Sequence, residues 1–479
     1  MNRRQFLQAT ATLATAASAS WLGYRYLSRP PSIAVNKVGL PLAHLLRDGQ
    51  LNAATSREHV CETLILGSGA AALSAAWYLA RNGYTNFCIA DGFERNGNNA
   101  AYAYSGSLKM SKANFSEAKT NATEAPLVAP SGAHYLAQPS AESSHIRQML
   151  ADFGILQGYD NAGKPIYRDT DLVNAPDERL LINGAWQDGI LPAPSQQDAD
   201  TRRFFAQITQ LLHAHGSDGR KIFAIPIVLS SQDAQWRALD RQTFAEWLAA
   251  QGYQSPRLLW YLDYCCRDDY GQGIDQVSAY AGLHYFAARG NEHAPVLTWA
   301  DGLNHLSEAL RAYAQIQSRA QLPSTRELTF RQPESYPYIA TQIAEQNDHV
   351  RVTLRHIHTG DTRLIHAQNV ICAMPLNIAQ RIIQHPQRYG FAPDFRLPPS
   401  APWLISNFVL HSFPAEPKRT ELAWDNIVYG SPSLGYVVAS HQHLHVARPS
   451  HTIFTAYTAL NHSSPANVRR QLLTAEPRD

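Results

Sequence analysis

Two glycines and an acidic residue, each placed directly after an apolar segment, form the most specific chemical pattern in this chain. The glycines lie within residues 67–69, after the apolar residues 63–66. Asp91 follows a second apolar segment, residues 87–90. Between the two segments, residues 70–82 carry small and apolar side chains at helical spacing. This order predicts a buried strand, a glycine turn, a helix and a second strand with Asp91 at its tip.

The spacing of these residues suits the binding of two linked phosphates. Gly67 allows a tight turn, and Gly69 has no side chain to hold a pyrophosphate away from the backbone. The N–H groups and the positive dipole end of a helix that begins at Ala70 would face the phosphates. Ala72 stands where a third glycine is usual, because close packing of helix on strand is needed there. Asp91, 24 positions after Gly67, can reach the ribose hydroxyls of an adenine dinucleotide. The alternative is a turn with incidental glycines.

The loop behind Asp91 favours FAD among the dinucleotides. Residues 92–106, GFERNGNNAAYAYSG, resemble the glycine-rich loop that follows the ribose-binding acid in the flavin amine oxidase and phytoene desaturase superfamily. Five more segments resemble exported bacterial FAD-dependent oxidoreductases of that superfamily: 39–49 (GLPLAHLLRDG), 131–136 (SGAHYL), 265–271 (CCRDDYG), 297–306 (LTWADGLNHL) and 423–442 (AWDNIVYGSPSLGYVVASHQ). The resemblance runs from about residue 37 to the end of the chain, and it implies FAD as the cofactor.

The resemblance also implies which residues hold the cofactor. They lie in the glycine turn, in the loop behind the acid and in the first strand of a later β-meander, beside the adenine. The candidates are Gly67, Ser68, Gly69, Ala70, Ala71, Ala72, Asp91, Gly92, Asn98 and Ala340. Amine oxidases often place a lysine near the flavin, but no lysine of this chain has a context that identifies it. The sequence therefore names no catalytic residue.

The implied fold class is α/β with two parts. The first is a Rossmann-like FAD/NAD(P)-binding domain with a parallel sheet and a β-meander, and the second is an inserted α+β substrate domain. We assign residues 58–145 and 296–385 to the FAD-binding domain, and residues 146–295 and 386–479 to the substrate domain. A chain of 479 residues is long enough for two or three domains.

Local patterns place the elements of these domains. The β-meander and a separate buried strand that returns to the parallel sheet are predicted at residues 338–343, 350–356, 362–366 and 369–373. Strands of the substrate domain are predicted at residues 403–411, 427–429, 436–440 and 452–457. Residues 105–139 are rich in Ser, Ala, Asn and Gly, which predicts a long loop. Residues 155–295 are predicted to be mainly helical. Aromatic residues cluster from Trp260 to Tyr285, where they form either core or a pocket wall.

The N-terminal residues 1–29 resemble a twin-arginine export signal followed by a linker. Arg3 and Arg4 precede a modest apolar run, and cleavage is predicted after Ala19, with retention as an anchor or a cytoplasmic protein as alternatives. An exported, periplasmic protein is the favoured location. The net charge of +2 gives no indication of nucleic-acid binding.

Three other clusters have a chemical and a structural interpretation. Cys265 and Cys266 are adjacent, but five cysteines in a chain of this length do not predict a disulfide framework. Residues 267–269, Arg-Asp-Asp, are either a functional carboxylate pair or a solvated turn with an ion pair, and the turn is favoured. Residues 441–445, His-Gln-His-Leu-His, lack the other ligands of a metal site, so a histidine-rich turn is favoured.

The chain departs from the family at its C-terminus. Members of the family continue into a third cofactor-binding segment, whereas this sequence stops at Asp479. The sequence is either truncated, completed by a separate chain, or that of a protein that no longer binds flavin normally. Two functions are therefore open: an amine oxidase-like enzyme that moves hydride from an amine or similar small molecule onto flavin, or a non-catalytic nucleotide-binding or scaffolding relative.

Overall fold

The computed structural model describes residues 33–35, 40–49, 51, 57–92, 95–104, 110–112, 127–193, 198–289, 294–320, 338–392, 396–418, 420–442 and 451–475. The helices in these residues are α1 (Leu40–Arg47), α2 (Ala70–Arg81), α3 (Ser144–Asp152), α4 (Ala199–His213), α5 (Ala234–Arg237), α6 (Phe244–Ala250), α7 (Pro256–Tyr270), α8 (Ala279–Ala287), α9 (Asn304–Ala320), α10 (Leu376–Ile382) and α11 (Pro465–Thr474).

The strands fall into one five-stranded sheet, one six-stranded sheet and three smaller sheets. They are β1 (Arg57–Leu66), β2 (Phe87–Ala90), β3 (Ala101–Tyr104), β4 (Met110–Lys112), β5 (Leu127–Pro130), β6 (Tyr135–Leu136), β7 (Leu156–Tyr159), β8 (Pro165–Tyr167), β9 (Glu178–Ile182), β10 (Ala185–Asp188), β11 (Leu297–Thr298), β12 (Tyr338–Glu345), β13 (Val350–His356), β14 (Thr362–Cys372), β15 (Trp403–Leu410), β16 (Asp425–Val428), β17 (Gly435–Val438) and β18 (Thr452–Ala459).

The five-stranded sheet has the order β12-β13-β14-β1-β2, with β1 between two parallel neighbours. In β1 the side chains of Leu64, Ile65 and Leu66 are fully buried. A strand that is buried on both faces needs an unbroken apolar run, and these residues provide it. Leu66 lies opposite Ala90 on one side and Cys372 on the other. The carboxyl ends of three parallel strands therefore meet at one edge of the sheet, where ligands of open α/β sheets usually bind.

Helix α2 connects β1 to β2 and packs beside α9. The buried positions of α2 include Ala72, Ala76 and Ala80, which recur every four residues. Because alanine is small, the helix can lie close to the sheet and to α9. The sequence prediction of strand, turn, helix and strand agrees with the structure, and β2 has the predicted bounds.

The prediction of the β-meander is wrong in one respect, because residues 362–366 and 369–373 do not form two separate strands. Residues 362–372 form one strand, β14, which pairs antiparallel with β13 and parallel with β1. Residues 366–369, His-Ala-Gln-Asn, lack the Gly or Pro that would make a turn, and the backbone stays extended through them. The meander and the parallel sheet are therefore one continuous sheet.

The six-stranded sheet has the order β10-β9-β16-β17-β18-β15. The predicted strands near residues 403, 427, 436 and 452 are all present, but the hairpin β9–β10 was missed because this region was expected to be helical. Asn183 and Gly184 form its two-residue turn, and both have positive φ, 53° and 77°. Asn-Gly is the strongest short hairpin signal, so the sequence did contain the information.

The aromatic residues of the helical region form a core. Phe204, Phe223 and Phe244 are fully buried between α4, α6, α7 and α8. Core was the favoured interpretation of the aromatic residues from Trp260 to Tyr285. Tyr264 belongs to this core, and Trp260 and Tyr261 are partly buried against it. The predicted long loop of residues 105–139 is wrong where the structure describes it, because β5 pairs with β3 and β6 pairs with β11.

Residues Val38–Leu473 form one compact unit. The predicted division of the chain into two domains stays a prediction. The strands of the five-stranded and six-stranded sheets nevertheless come from different predicted domains. The predicted export signal and linker, residues 1–29, lie outside the described residues. No helix in the described part of the chain combines the length and the apolar character needed to cross a membrane.

Candidate functional site

The glycine turn lies at the edge of the five-stranded sheet where the parallel strands end. Gly67 donates its N–H to the carbonyl oxygen of Ala90 at 3.0 Å and has a φ of +135°. A Cβ atom at this position would lie 2.7 Å from the carbonyl oxygen of Ala373, just after β14. Gly67 is therefore required by the packing of the protein on itself, whether or not a ligand binds.

The start of α2 faces open space. Gly69 is the N-cap residue with a φ of −90°, no side chain among the described residues caps the helix, and the first turn holds no acidic residue. The first backbone hydrogen bond is that from Leu73 N–H to the Gly69 carbonyl, at 3.1 Å. Ala70 and Ala71 are exposed, and a Cβ on Gly69 would meet no atom of the described part of the chain within 4 Å. Free N–H groups at an uncapped helix start are a site for an anion.

The loop behind β2 returns to this glycine turn. A Cβ on Gly92 would lie 3.8 Å from Ser68 Oγ, and a Cβ on Gly97 would lie 3.0 Å from Gly69 Cα. Gly97 has a φ of +56°, so glycine suits both the backbone conformation and the close approach. Asn98, next to it, is exposed. The structure thus brings Ser68, Gly69 and Gly92 together, with Asn98 beside them.

Ala340 differs from the other candidates because its side chain is buried in the core. It lies on β12 among apolar residues that include Leu64 and Leu354. The link from this strand to the loop is a hydrogen bond from Gly92 N–H to the Tyr338 carbonyl oxygen, at 3.0 Å. Any contact of Ala340 with an adenine would have to come from its backbone.

Asp91 lies at the tip of β2, as predicted, but its carboxylate is already paired. Arg311 Nη1 donates to both of its oxygens, at 3.1 and 3.2 Å, and the two residues are only 6% and 5% exposed. A carboxylate has about four acceptor positions, so two hydrogen bonds from one guanidinium nitrogen leave capacity for ribose hydroxyls. Nothing in the sequence near Asp91 indicates this partner.

Arg311 belongs to a row of polar residues on α9. Asn304, Ser307, Glu308 and Arg311 recur at intervals of three and four, so they share one face of the helix. Asn99 Nδ2 donates to Ser307 Oγ at 3.1 Å. We call these four residues the polar face of α9. Polar residues spaced so that they share one face of a helix are the signal that could have found them.

The centre of this network is Asn96, which is 1% exposed. Its Nδ2 donates to Asn304 Oδ1 at 2.8 Å and to Glu308 Oε1 at 2.6 Å. Its Oδ1 accepts from Arg311 Nε and Nη2, at 3.3 and 3.1 Å. Arg95 Nε and Nη2 bind the two oxygens of Glu308 at 2.9 and 2.7 Å. Burial acts to raise the pKa of Glu308, but the hydrogen bonds from Arg95 and Asn96 outweigh it and lower that pKa.

A second group of polar residues, which are half-buried, lies near the six-stranded sheet. Glu178 and Asp425 are opposite each other at the starts of the parallel strands β9 and β16. Asp268 on α7 acts on both. Burial, followed by the charge of an aspartate neighbour, raises the pKa of Glu178 to about 7 and that of Asp268 to about 6. Burial and the charge of Asp268 also raise the pKa of Asp425.

We call Glu178, Asp268 and Asp425 the carboxylate cluster. The charge of Asp268, then burial, raises the pKa of the Tyr135 phenol. Burial, then Asp425, raises the pKa of Tyr457. Carboxylates beside aromatic rings are a suitable environment for an organic cation. Among the described residues, no group of three or more His, Cys, Asp or Glu could hold a metal ion.

Three of the segments that resemble the flavin oxidoreductases contribute to this interior. Tyr135 belongs to residues 131–136, Asp268 to residues 265–271 and Asp425 to residues 423–442. The ring of Tyr135 stands edge-on to that of Trp424, with the centroids 5.8 Å apart. Segments distant in sequence are thus brought together by the fold around one cluster.

The favoured solvated turn at residues 267–269 is wrong. These residues lie within α7, where Arg267 is buried and donates to Asp263 at 2.8 Å. Asp269 is paired with Arg289 at 2.7 Å. The charge of Asp269 adds to the raised pKa of Asp268, whereas Arg289 and Arg267 act to lower it. Among the three charged residues 267–269, Asp268 is therefore the one with a partly buried carboxylate.

The other two clusters have structural environments. Cys265 and Cys266 are buried and free, and burial raises the pKa of both thiols, which disfavours the reactive thiolate. His441 Nε2 makes a 2.7 Å hydrogen-bond contact with the Asn174 carbonyl oxygen, and burial lowers the pKa of this histidine. The rest of the histidine-rich segment, residues 443–445, lies outside the described residues.

No protein-family model matches the chain, and no curated protein matches its sequence. Solved structures do match its fold. Putrescine oxidase bound to putrescine has a TM-score of 0.54 at 12% identity, over 88% of this chain and 80% of that protein. Cyclohexylamine oxidase from Brevibacterium oxydans has a TM-score of 0.50 at 14% identity, over 86% and 80%. An oxidoreductase from Methanosarcina mazei has a TM-score of 0.51 at 11% identity, over 86% and 82%. This chain therefore shares its mixed α/β fold with these proteins.

Proposed function

We propose that the chain is an FAD-dependent oxidoreductase of the amine oxidase type, with a Rossmann-like cofactor domain and an inserted α+β substrate domain. The observation that carries the proposal is the open, uncapped start of α2 behind Gly69, where a Cβ would meet no atom of the described residues within 4 Å. It lies at the carboxyl ends of three parallel strands, in a fold shared with two amine oxidases.

The residues of the glycine turn fit the pyrophosphate of FAD. Backbone N–H groups from Gly69 to Ala71 would hold its charge, and Asp91 would accept hydrogen bonds from the ribose. When bound, FAD would supply the chemistry by accepting hydride from the substrate. The protein would contribute binding, orientation and electrostatics, and Gly92 and Asn98 would line the same groove.

The carboxylate cluster supports an amine as the substrate. An alkylammonium group needs a negative partner when it leaves water, and aromatic rings add a favourable contact. Asp268 and Asp425 stand near Tyr135, so both kinds of partner are present in one place. We propose that this interior receives the cationic end of a small amine.

A specific observation favours a second candidate, a non-catalytic relative that serves as a nucleotide-binding or scaffolding module. The carboxylate of Asp91 is already neutralised by Arg311, as it would be in a protein that had replaced a ligand by an internal ion pair.

Export to the periplasm and a separate chain that completes the cofactor site are further proposals from the sequence. Neither depends on the described residues.

The visible spectrum of the purified protein decides between the two candidates. We expect flavin absorption bands at a ratio near one flavin per chain, or their appearance after incubation with free FAD. Anaerobic addition of putrescine or another small amine should then bleach the bands. A folded protein that stays colourless with excess FAD would contradict the enzyme and support the scaffold.

Replacing Asp268 by asparagine is expected to stabilise the protein at pH 8 and to have little effect at pH 4. Burial raises the pKa of Asp268 from 3.8 to about 6 in the folded chain. Between these values the folded chain retains a proton that the unfolded chain releases, so the free energy of unfolding falls as pH rises. Because each pH unit is worth about 1.4 kcal/mol, the gain at pH 8 is at most about 3 kcal/mol. Urea unfolding at both pH values measures it.

Asp240→Asn provides the matched control, because this aspartate is exposed. Its effect on the free energy of unfolding, measured at the same two pH values, should be small. If Asp268→Asn had equal effects at both pH values, the carboxyl would not be in the environment that the structure gives it. The same variant should also weaken binding of a diamine.

A further inference from the structure

We infer that Arg311 is the positioning residue of the nucleotide site: it holds the Asp91 carboxylate in the orientation that binds the ribose 2′-hydroxyl. The inference rests on the proposed function, because it requires an adenine nucleotide at the glycine turn. It goes beyond that function by assigning the ribose contact to a pair of residues on different elements. One of them, on α9, comes 220 positions later in the chain.

The first argument is the geometry of the guanidinium group. One nitrogen of Arg311, Nη1, contacts both oxygens of Asp91, and the other two, Nε and Nη2, contact Asn96 Oδ1. All three nitrogens are therefore engaged on the segment that leaves β2. A planar fork fixes the rotation of a carboxylate in a way that a point charge such as lysine cannot.

The second argument is that the fork itself is held in place. Arg311 comes one helical turn after Glu308 on α9, and Asn96 binds both of them. Glu308 is also bound by Arg95. The loop is thus connected to a helix that packs along α2, the helix whose start would carry the phosphates. Asp91 and the phosphate groups of one ligand would be placed by the same pair of helices.

The third argument is the free-energy cost of leaving the buried Asp91 carboxylate without Arg311. Asp91 is almost fully buried, and an isolated buried carboxylate is strongly unfavourable, so without Arg311 it would rotate, take up a proton or draw in water. Any of these changes would remove the well-directed acceptor that a ribose hydroxyl needs. The backbone groups of the glycine turn would be unchanged. Loss of Arg311 should therefore affect the ribose contact selectively.

The experiment compares ADP with 2′-deoxy-ADP, which differ in the hydroxyl that Asp91 would bind. Titration calorimetry of the full chain should give an affinity ratio of about 10 in favour of ADP, the value expected for a hydrogen bond to a charged acceptor. In Arg311→Met the ratio should fall to below about 2, as it should in Asp91→Asn. Arg311→Lys should give an intermediate ratio, because it restores the charge without the fork.

Two further variants distinguish a selective loss of the ribose contact from a general loss of folded protein. Arg81→Met removes an ion pair of similar length, 2.8 Å to Asp152, at the opposite end of α2 and should keep the full ratio. Asp91→Asn/Arg311→Met removes both charges, so no charge is left buried alone, and its ratio should equal that of Asp91→Asn. Thermal unfolding of each variant shows which ones are folded.

Each outcome separates this inference from the proposed function. If the parent protein binds neither nucleotide, the proposed function fails. If it binds ADP with a ratio near 10 and Arg311→Met weakens both nucleotides equally, Arg311 has only a structural role and the inference is overturned. A ratio that falls in Arg311→Met and is partly restored in Arg311→Lys supports it.

Discussion

Replacing Gly69 by valine is expected to weaken FAD binding by at least about 100-fold, which corresponds to about 2.7 kcal/mol. A Cβ at Gly69 meets no protein atom within 4 Å, so the new side chain would project into the groove in front of α2. There it would occupy the space that a pyrophosphate needs to reach the backbone N–H groups. Titration of the purified protein with FAD, followed by flavin fluorescence, measures the loss.

The same substitution should leave the fold intact. Gly69 has a φ of −90° and a ψ of −172°, which valine adopts without strain, so the free energy of unfolding should change by less than about 1 kcal/mol. Urea unfolding without added nucleotide provides that control. If the valine variant bound FAD like the parent protein, the cofactor could not lie at this glycine turn.

Gly67→Ala is expected to have the opposite profile and to destabilise the protein by about 3 kcal/mol even without a ligand. Its Cβ would lie 2.7 Å from the carbonyl oxygen of Ala373, and the φ of +135° is a conformation that L-residues rarely adopt. Either β14 must move away or the turn must change. The difference in urea unfolding between parent and variant measures the effect.

Gly83→Ala is the matched control for this substitution. Gly83 also has a positive φ, +80°, but a Cβ there would meet no atom within 4 Å. It isolates the backbone effect, which should cost about 1 kcal/mol. Equal destabilisation by the two substitutions would show that the contact with Ala373 contributes nothing.

The β1-turn-α2-β2 unit could be predicted because each of its signals is local. An apolar run, two glycines and small residues at helical spacing determine the strand, the turn and the face of the helix within about 30 residues. The same holds for the four strands found near the C-terminal end, where short apolar runs agree with the structure. The candidate residues at the turn and at Gly92 lie together for this reason.

The remaining features depend on contacts between distant parts of the chain. Nothing near Asp91 in sequence indicates Arg311, since the ion pair exists only because α9 packs beside α2. Likewise Glu178 and Asp425 become neighbours only through the parallel pairing of β9 and β16. The hairpin at Asn183 escaped prediction for a different reason. Its turn signal is local, but the surrounding region is predicted to be helical.

The uninterrupted length of β14 has a consequence for how this protein opens. Since β14 contributes hydrogen bonds to β13 on one side and to β1 on the other, the meander cannot detach without breaking the ladder that supports the glycine turn. Amide protons in these strands should therefore exchange with solvent as one cooperative unit. Fluctuations that admit a large ligand would have to originate elsewhere, so the groove would be entered through loops rather than by parting of the sheet.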